Sequence, residues 1–292
     1  MSQFVDLHLH STASDGTLSP ESLVREVVRA GLSAMALTDH DTVAGCEAAA
    51  AAAAAEGVDF LPGIEISCEF PRPGTLHLLG YGIDPQSPAL HRLTRRLIEG
   101  RERRNRRLLE LLNDAGIDVT HDELLAESGG GTVGRPHLAA LLVKKGVVST
   151  VQEAFNRYLG QGGRFYVDKE TTSARQAIDL IHEAGGLAVL AHPAQLRREN
   201  HAQLMTVIKS LTDMGLDGLE VIHSDHRESL IDHLSDVARR LGLLITGGSD
   251  FHGSSKPHIH VGYAGRRRIP RELFDRLVDR LKSSSRCVAL GQ

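Results

Sequence analysis

The chain has 292 residues, 41% of them hydrophobic, which is enough for one large domain or a domain carrying an insertion. A net charge of −4 excludes a protein that coats nucleic acid by bulk electrostatics, and three cysteines, Cys46, Cys68 and Cys287, without a CxxC spacing exclude a disulfide framework or a thiolate zinc site and fit a reducing cytoplasm. No basic start followed by an apolar run opens the chain, and no window approaches the roughly 18 apolar residues of a membrane helix, so an unprocessed soluble protein is expected, without membrane contact or an obligate protein partner.

From the N-terminus, short β-rich runs alternate with helical ones: FVDLHLH, PESLVREVVRAG, AMALTDHD, VAGCEAAAAAAAAEG and VDFLPGIEISCEF. Ser19 before Pro20 reads as a helix N-cap and first helical residue, and Gly31 as the stop. The alanine run is structural, because alanine has the best helix propensity and no chemistry of its own. TLHLLGYG (75–82) is a further strand. Helices alone then follow to about residue 160, after which the βα rhythm resumes with strands LAVLAHP, LDGLEVIHS and LLITGGSDFHG. Alternating βα units imply a parallel sheet covered by helices, either an open doubly wound sheet or a barrel. The predicted organisation is a βα domain over 1–84 and 166–292, interrupted by an all-helical insertion at 85–165.

Inside the insertion, EGRERRNRR (99–107) has no apolar side chain. It reads either as a solvated helix leaving the main domain or as a basic surface that steers a phosphorylated or nucleic-acid substrate.

The sixteen histidines are the unusual count, and their placement matters most. In DLHLHSTASDG (6–16), His8 and His10 project from one strand face roughly 6 to 7 Å apart, a metal-ligand spacing. His8 and His10 end the first strand, Asp39 and His40 the second, Glu65 lies late in the third and His77 in the fourth. His192, His223, and Asp250 with His252 end the later strands. In parallel βα folds the loops after strand C-termini build the active site, so these residues converge there, whereas His91, His121, His182, His201 and His233 scatter over helices and loops. Imidazoles mixed with carboxylates suit manganese, zinc or iron, and eight or nine ligands exceed what one ion can use, so two or three divalent ions are expected, Mn2+ foremost.

The clusters DLHLHSTASDG, LTDHD with GIEIS, LAHP and GSDFH resemble, in that order, those of the polymerase and histidinol phosphatase (PHP) family of metal-dependent phosphoesterases. The likeness spans residues 4–82 and 165–265 and implies a distorted (β/α)7 barrel related to amidohydrolases. It also implies one metal on His8, His10, Glu65 and Asp250, a second on Asp15, His40 and His252, and a third on Glu65, His77 and His192. Such a centre neutralises phosphoryl oxygens and lowers the pKa of a bridging water toward about 7, making hydroxide available for in-line attack. His223 is the candidate general acid for the leaving alkoxide, and otherwise binds the phosphate or merely ends its strand.

The insertion should choose the substrate. TVGRPHLAALLV (132–143) puts Arg135 at the first turn of a helix, where a phosphate would meet a guanidinium and free backbone N–H groups. Arg135 and His137 otherwise merely cap that helix. The triple glycine 129–131 before them reads as a closing loop, and Arg164 and Lys169 add charge at the return to the barrel. The GRPH insertion beside the PHP clusters is similar to the bacterial subgroup of 3′,5′-nucleoside bisphosphate phosphatases, which implies removal of a 3′-phosphate to leave a nucleoside 5′-monophosphate. A 5′-to-3′ exoribonuclease on short RNA is the alternative. Histidinol phosphatase and a non-catalytic nucleic-acid-binding module stand further off.

Overall fold

The computed structural model describes residues 3–71, 73–128 and 133–284. The triple glycine 129–131 and Cys287 lie outside them. In chain order, β1 (Phe4–Asp6), α1 (Pro20–Arg29), β2 (Ala34–Leu37), α2 (Cys46–Glu56), β3 (Asp59–Cys68) and β4 (Leu76–Tyr81) precede the helices α3 (Pro88–Asp114), α4 (His121–Glu127), α5 (Arg135–Lys144), α6 (Val151–Ala154) and α7 (Ala174–Glu183). Then come β5 (Leu187–Leu190), α8 (His201–Asp213), β6 (Gly218–His223), α9 (Glu228–Leu241), β7 (Leu244–Gly248), the hairpin β8 (Tyr263–Ala264) and β9 (Arg267–Pro270), and α10 (Arg271–Ser283). Helix α1 starts where the sequence places it, the Ser19 hydroxyl accepting the Ser22 N–H at 3.2 Å. Among the described residues no helix is long and apolar enough to cross a membrane.

Neighbouring strands follow the order β7-β6-β5-β4-β3-β2-β1-β9-β8. The sheet curls until the extensions of β1 and β7 meet: the Asp250 N–H donates to the His8 carbonyl at 3.0 Å and the His10 N–H to that of Phe251 at 3.1 Å. This seam admits no side chain at Gly248, where a Cβ would lie 2.1 Å from that of His8. Buried Asp6 locks it from below, accepting N–H bonds from Ser249 and Gly262 at 2.9 and 2.7 Å. The architecture is therefore the distorted βα barrel expected from the clusters.

One expectation is corrected. The sheet is mixed, because β4 pairs antiparallel with both β3 and β5. No helix separates β3 from β4, so the chain turns back at once as a hairpin. Reversal places the start of β4, with His77, at the barrel end where the parallel strands finish.

Between β4 and α7, the helical segment builds an apolar cluster of its own, including Leu108, Leu112, Leu138, Leu142, Leu159 and Phe165. Helix α3 buries Leu93, Leu97, Leu108 and Leu112 along one stripe. The stripe does not stop at the charged run. Arg101 and Arg104 occupy the same face and are buried, while Arg103, Arg106 and Arg107 are exposed. Solvation thus describes only one side of that run.

Candidate metal centre and adjoining cation pocket

Strand ends and the loops after them bring all nine expected metal ligands to the barrel mouth. His8, His10, Glu65 and Asp250 form one group with ligand atoms within 4.8 Å of one another, and His10, Asp15, His40 and His252 form a second. A third joins His40, Glu65 and His77, and His192 Nε2 lies 2.8 Å from the Glu65 oxygen that His77 Nδ1 approaches at 2.7 Å. Glu65 is the hub. Its other oxygen is 3.3 Å from His8 Nε2 and from His10 Nε2, and 2.9 Å from His40 Nδ1.

The backbone is bent to achieve this. His192 and Asp250 hold φ of 26° and 60°, in the left-handed region that non-glycine residues avoid and that functional sites tolerate. Asp41, next to His40, does the same at 55°.

Electrostatics follow from crowding. Burial opposes the charge on Glu65, yet His40, His77 and His8 hold its carboxyl well below the usual range. Burial pushes His40 down to about 4, so its ring is neutral and can offer a lone pair. For His8, burial is outweighed by Glu220, Glu65 and Asp250, which raise it.

These groups are not satisfied by one another. Among the described residues, both nitrogens of buried His10, Nδ1 of half-buried His40 and Nδ1 of buried His192 make no hydrogen bond. His10 Nε2 nevertheless sits 3.2 and 3.3 Å from carboxylate oxygens of Asp250 and Glu65. Donor atoms that crowd together without aligning as hydrogen bonds are arranged as ligands are around a shared ion. The oxygen and nitrogen donors fit divalent cations.

One further carboxylate, Glu220, went unread in the sequence, and Asp39, expected among the converging strand-end residues, supports a loop. Glu220, within the apolar strand β6, lies 2.9 Å from His8 Nδ1 and accepts the His192 backbone N–H at 2.7 Å. It fixes His8 so that Nε2 faces the cluster, as carboxylates commonly do behind metal-bound histidines. Asp39 instead takes the Ser11 N–H at 2.7 Å and the Ser11 and Ser14 hydroxyls at 2.6 Å each, shaping the loop that presents Asp15. The signal for Glu220 was a carboxylate embedded in a wholly apolar strand.

His223 closes the cluster on the β6 side. Its Nδ1 accepts the Asp225 N–H at 3.0 Å, so the neutral ring carries its proton on Nε2. Among the described residues that nitrogen is buried without a hydrogen-bond partner, 3.7 Å from Asp250 Oδ2.

Beside the histidines stands a second cluster, of cations. Arg101 pairs with buried Asp41, donating from Nε at 3.2 Å and more closely from Nη2, and Lys169 Nζ lies 3.7 Å from the same oxygen while bonding the Ser67 hydroxyl. Arg135 donates to the Val167 carbonyl at 2.9 Å and lies 4.8 Å over the Tyr166 ring. Arg104 is 4% exposed, donates from Nε to Asn105, and leaves buried Nη2 with no partner among the described residues. Burial, then Arg135 and Arg101, push its pKa down, which for a guanidinium means a charge held at a cost rather than a lost proton. Burial and Arg101 push Lys169 down to about 8. Arg101 and Lys169 share one buried carboxylate and Arg104 and Arg135 stand near them, an excess of positive charge that suits an anion. Arg135 and Lys169 were expected here from the sequence; Arg101 and Arg104 were not.

The remaining expected residues stand apart. His137 Nδ1 accepts the Gly134 N–H at 3.0 Å and so ties the first turn of α5. Arg164 is exposed, its guanidinium over the Phe165 ring.

A family model described as PHP domain matches residues 6–172. Over 260 residues the chain is 36% identical to the 5′-3′ exoribonuclease Rnm of Salmonella typhimurium, covering 88% of this chain and 87% of that one. It is 35% identical over 260 residues to the 3′,5′-nucleoside bisphosphate phosphatase of Chromobacterium violaceum, covering 89% and 90%. Among solved structures, an amidohydrolase from Chromobacterium violaceum with bound sulfate superimposes with a TM-score of 0.81 at 35% identity, covering 93% of this chain and 96% of that one.

Proposed function

The chain belongs to the PHP domain family of metal-dependent phosphoesterases, and on that premise we propose that it removes the 3′-phosphate of nucleoside 3′,5′-bisphosphates, leaving nucleoside 5′-monophosphates. The observation that supports this reading is the adjacency of two clusters, one of histidines and carboxylates suited to metal ions and one of cations in which, among the described residues, Arg104 keeps a buried nitrogen without a partner. A substrate with phosphates at both ends of one ribose uses both. The similarity to the Chromobacterium violaceum phosphatase points the same way.

Two or three divalent ions, Mn2+ first and Zn2+ or Fe2+ after it, are assigned to His8, His10, Asp15, His40, Glu65, His77, His192, Asp250 and His252. When bound, such ions supply charge neutralisation at the phosphoryl group and a more acidic water. The rest falls to the chain. Arg101, Arg104, Arg135 and Lys169 hold the 5′-phosphate and so fix the ribose, with residues 85–165 acting as a substrate-binding cap on the barrel of 1–84 and 166–292. His223 Nε2–H protonates the 3′-oxygen as its bond to phosphorus breaks. His223→Ala should therefore slow substrates with poor leaving groups most; normal turnover of a nucleotide by that variant would remove His223 from the role.

A second reading, 5′-to-3′ hydrolysis of short 5′-phosphorylated RNA, is favoured by the similarity to Rnm. It keeps the same 5′-phosphate pocket and exchanges the monoester for a diester. One assay separates them: phosphate and nucleotide release with Mn2+ from adenosine 3′,5′-bisphosphate, 5′-AMP, 3′-AMP, histidinol phosphate and a 5′-phosphorylated RNA dinucleotide. Fast conversion of the bisphosphate to 5′-AMP, with little from either monophosphate, is the expected result. Faster release of mononucleotide from the dinucleotide would replace the first reading by the second.

A further inference from the structure

The two oxygens of Asp250 serve different neighbours. Oδ1 faces the histidine cluster, 3.2 Å from His10 Nε2 and 3.5 Å from both His8 Nε2 and His252 Nδ1. Oδ2 accepts a hydrogen bond from Lys256 Nζ at 2.6 Å and lies 3.7 Å from His223 Nε2. An ammonium and the nitrogen assigned to the leaving oxygen therefore meet at one carboxylate oxygen on the rim of the cluster.

Lys256 is built into this position by its loop. It follows the single turn Gly253–Ser255, closed by the Lys256 N–H donating to the Gly253 carbonyl at 3.1 Å. The Ser254 N–H donates to Thr17 Oγ1 at 2.9 Å and the Thr17 N–H to the His252 carbonyl at 3.2 Å, which ties the turn to the loop that carries Asp15. Position 253 requires glycine, since its φ is 69° and a Cβ would fall 2.0 Å from the Thr17 oxygen. Lys256 follows β7, whereas Asp41 and Ser67, which hold Arg101 and Lys169, follow β2 and end β3, so this cation is separate from the anion pocket described above. An ammonium has three donors, and among the described residues Asp250 takes one of them. Two remain for a ligand.

We propose that Lys256 is a specificity-determining residue, which selects a terminal phosphate over a phosphodiester by binding the third non-bridging oxygen of the phosphoryl group at the histidine cluster. The proposal rests on the reading of the site as one that cleaves phosphorus from a 3′-oxygen. A monoester dianion presents three non-bridging oxygens and two negative charges. In a diester one of those oxygens carries the next nucleoside, and one charge is gone. A fixed ammonium beside His223 therefore favours the monoester, because Coulomb attraction grows with the charge and its hydrogen bond is charge-assisted.

The test compares wild type, Lys256→Met and Lys256→Arg with Mn2+ on adenosine 3′,5′-bisphosphate and on a 5′-phosphorylated RNA dinucleotide. Bound Mn2+ by mass spectrometry and melting temperature are measured beside the rates. Lys256→Met should lose about a hundredfold in kcat/KM for the bisphosphate and no more than about fivefold for the dinucleotide, in line with removal of one charged donor to the reacting group. Lys256→Arg should regain most of that loss, and both variants should bind as much Mn2+ as wild type. Equal losses on the two substrates, or a loss of bound Mn2+ in Lys256→Met, would overturn the selection and reduce Lys256 to a counter-charge that holds Asp250. Should wild type release no phosphate from any bisphosphate, the parent reading fails and binding decides the matter. By calorimetry with Mn2+, Lys256→Met should then bind adenosine 3′,5′-bisphosphate about tenfold more weakly than wild type and 5′-AMP equally well. An unchanged affinity for the bisphosphate, or an equal loss on 5′-AMP, would overturn the contact with the 3′-phosphate.

Discussion

The two charged clusters at the barrel mouth are built from different parts of the chain. The histidines and carboxylates come from β1, β2, β3, β4, β5 and β7 or the loops just after them, whereas Arg101, Arg104 and Arg135 come from helices α3 and α5 of the insertion. Strands in a βα barrel point their ends in a common direction, so a ligand set can be read from which residue types end which strands. A helix offers no such shared end. Which of its charged residues turn inward depends on what it packs against, and that is settled by tertiary structure.

The sharpest test of the strand-built cluster is its hub. Glu65→Gln removes the one carboxylate that approaches His8, His10, His40, His77 and His192. Metal content by mass spectrometry and phosphate release should fall together, the rate by about a thousandfold or more. Full activity with metal retained would show that the cluster does not work through a shared carboxylate.

The helix-built cluster should break differently. Arg104→Met removes a buried charge that has no carboxylate partner among the described residues, so the ligand-free protein should gain stability, by about 1 to 3 kcal/mol in thermal or denaturant unfolding. The same variant should lose about a hundredfold in kcat/KM for a 5′-phosphorylated substrate while sparing 3′-AMP. A destabilised variant would mean that Arg104 belongs to the fold rather than to an anion site. Arg135→Ala should follow the same substrate pattern more weakly, because Arg135 also bonds the Val167 carbonyl.

How much of this was legible depends on the element. His8 and His10 could be paired from the two-residue period of a strand, and the nine ligands the sequence suggested do converge. The reversal of β4 was also within reach, since EFPRPG between two strands leaves room for a turn and not for a helix. Arg101 and Arg104 were hidden because their neighbours are charged too. The signal lay in phase rather than in composition: the stripe Leu93, Leu97, Leu108 and Leu112 recurs every three or four residues, and positions 101 and 104 fall within it. Glu220 was hidden by its strand, whose apolar run reads as plain core until the carboxylate finds His8.

Glu220 gives the next prediction. Glu220→Gln keeps the size of the side chain but weakens its hold on His8 Nδ1, so Mn2+ affinity measured by titration calorimetry should fall about 10- to 100-fold, with activity restored by excess metal. Loss that excess Mn2+ does not restore would point to a direct part in the chemistry.

The smallest expected effect is one of pH. Lys169 has its pKa pushed down to about 8, first by burial and then by Arg101. Because the folded value lies below that of an exposed lysine, the native state gives up its proton first as pH rises. The charge on Lys169 therefore costs stability below pH 8, and that cost is relieved between pH 8 and about 10.4, where the unfolded chain still holds the proton. Binding runs the opposite way, since a 5′-phosphate needs the ammonium. KM for adenosine 3′,5′-bisphosphate should climb a few-fold above pH 8, while KM for 3′-AMP stays level across the same range. In Lys169→Met the climb should disappear, leaving a higher and flat KM. A climb that persists in that variant would move the titration to another group and leave the guanidinium groups of Arg101, Arg104 and Arg135 as the whole of the anion pocket.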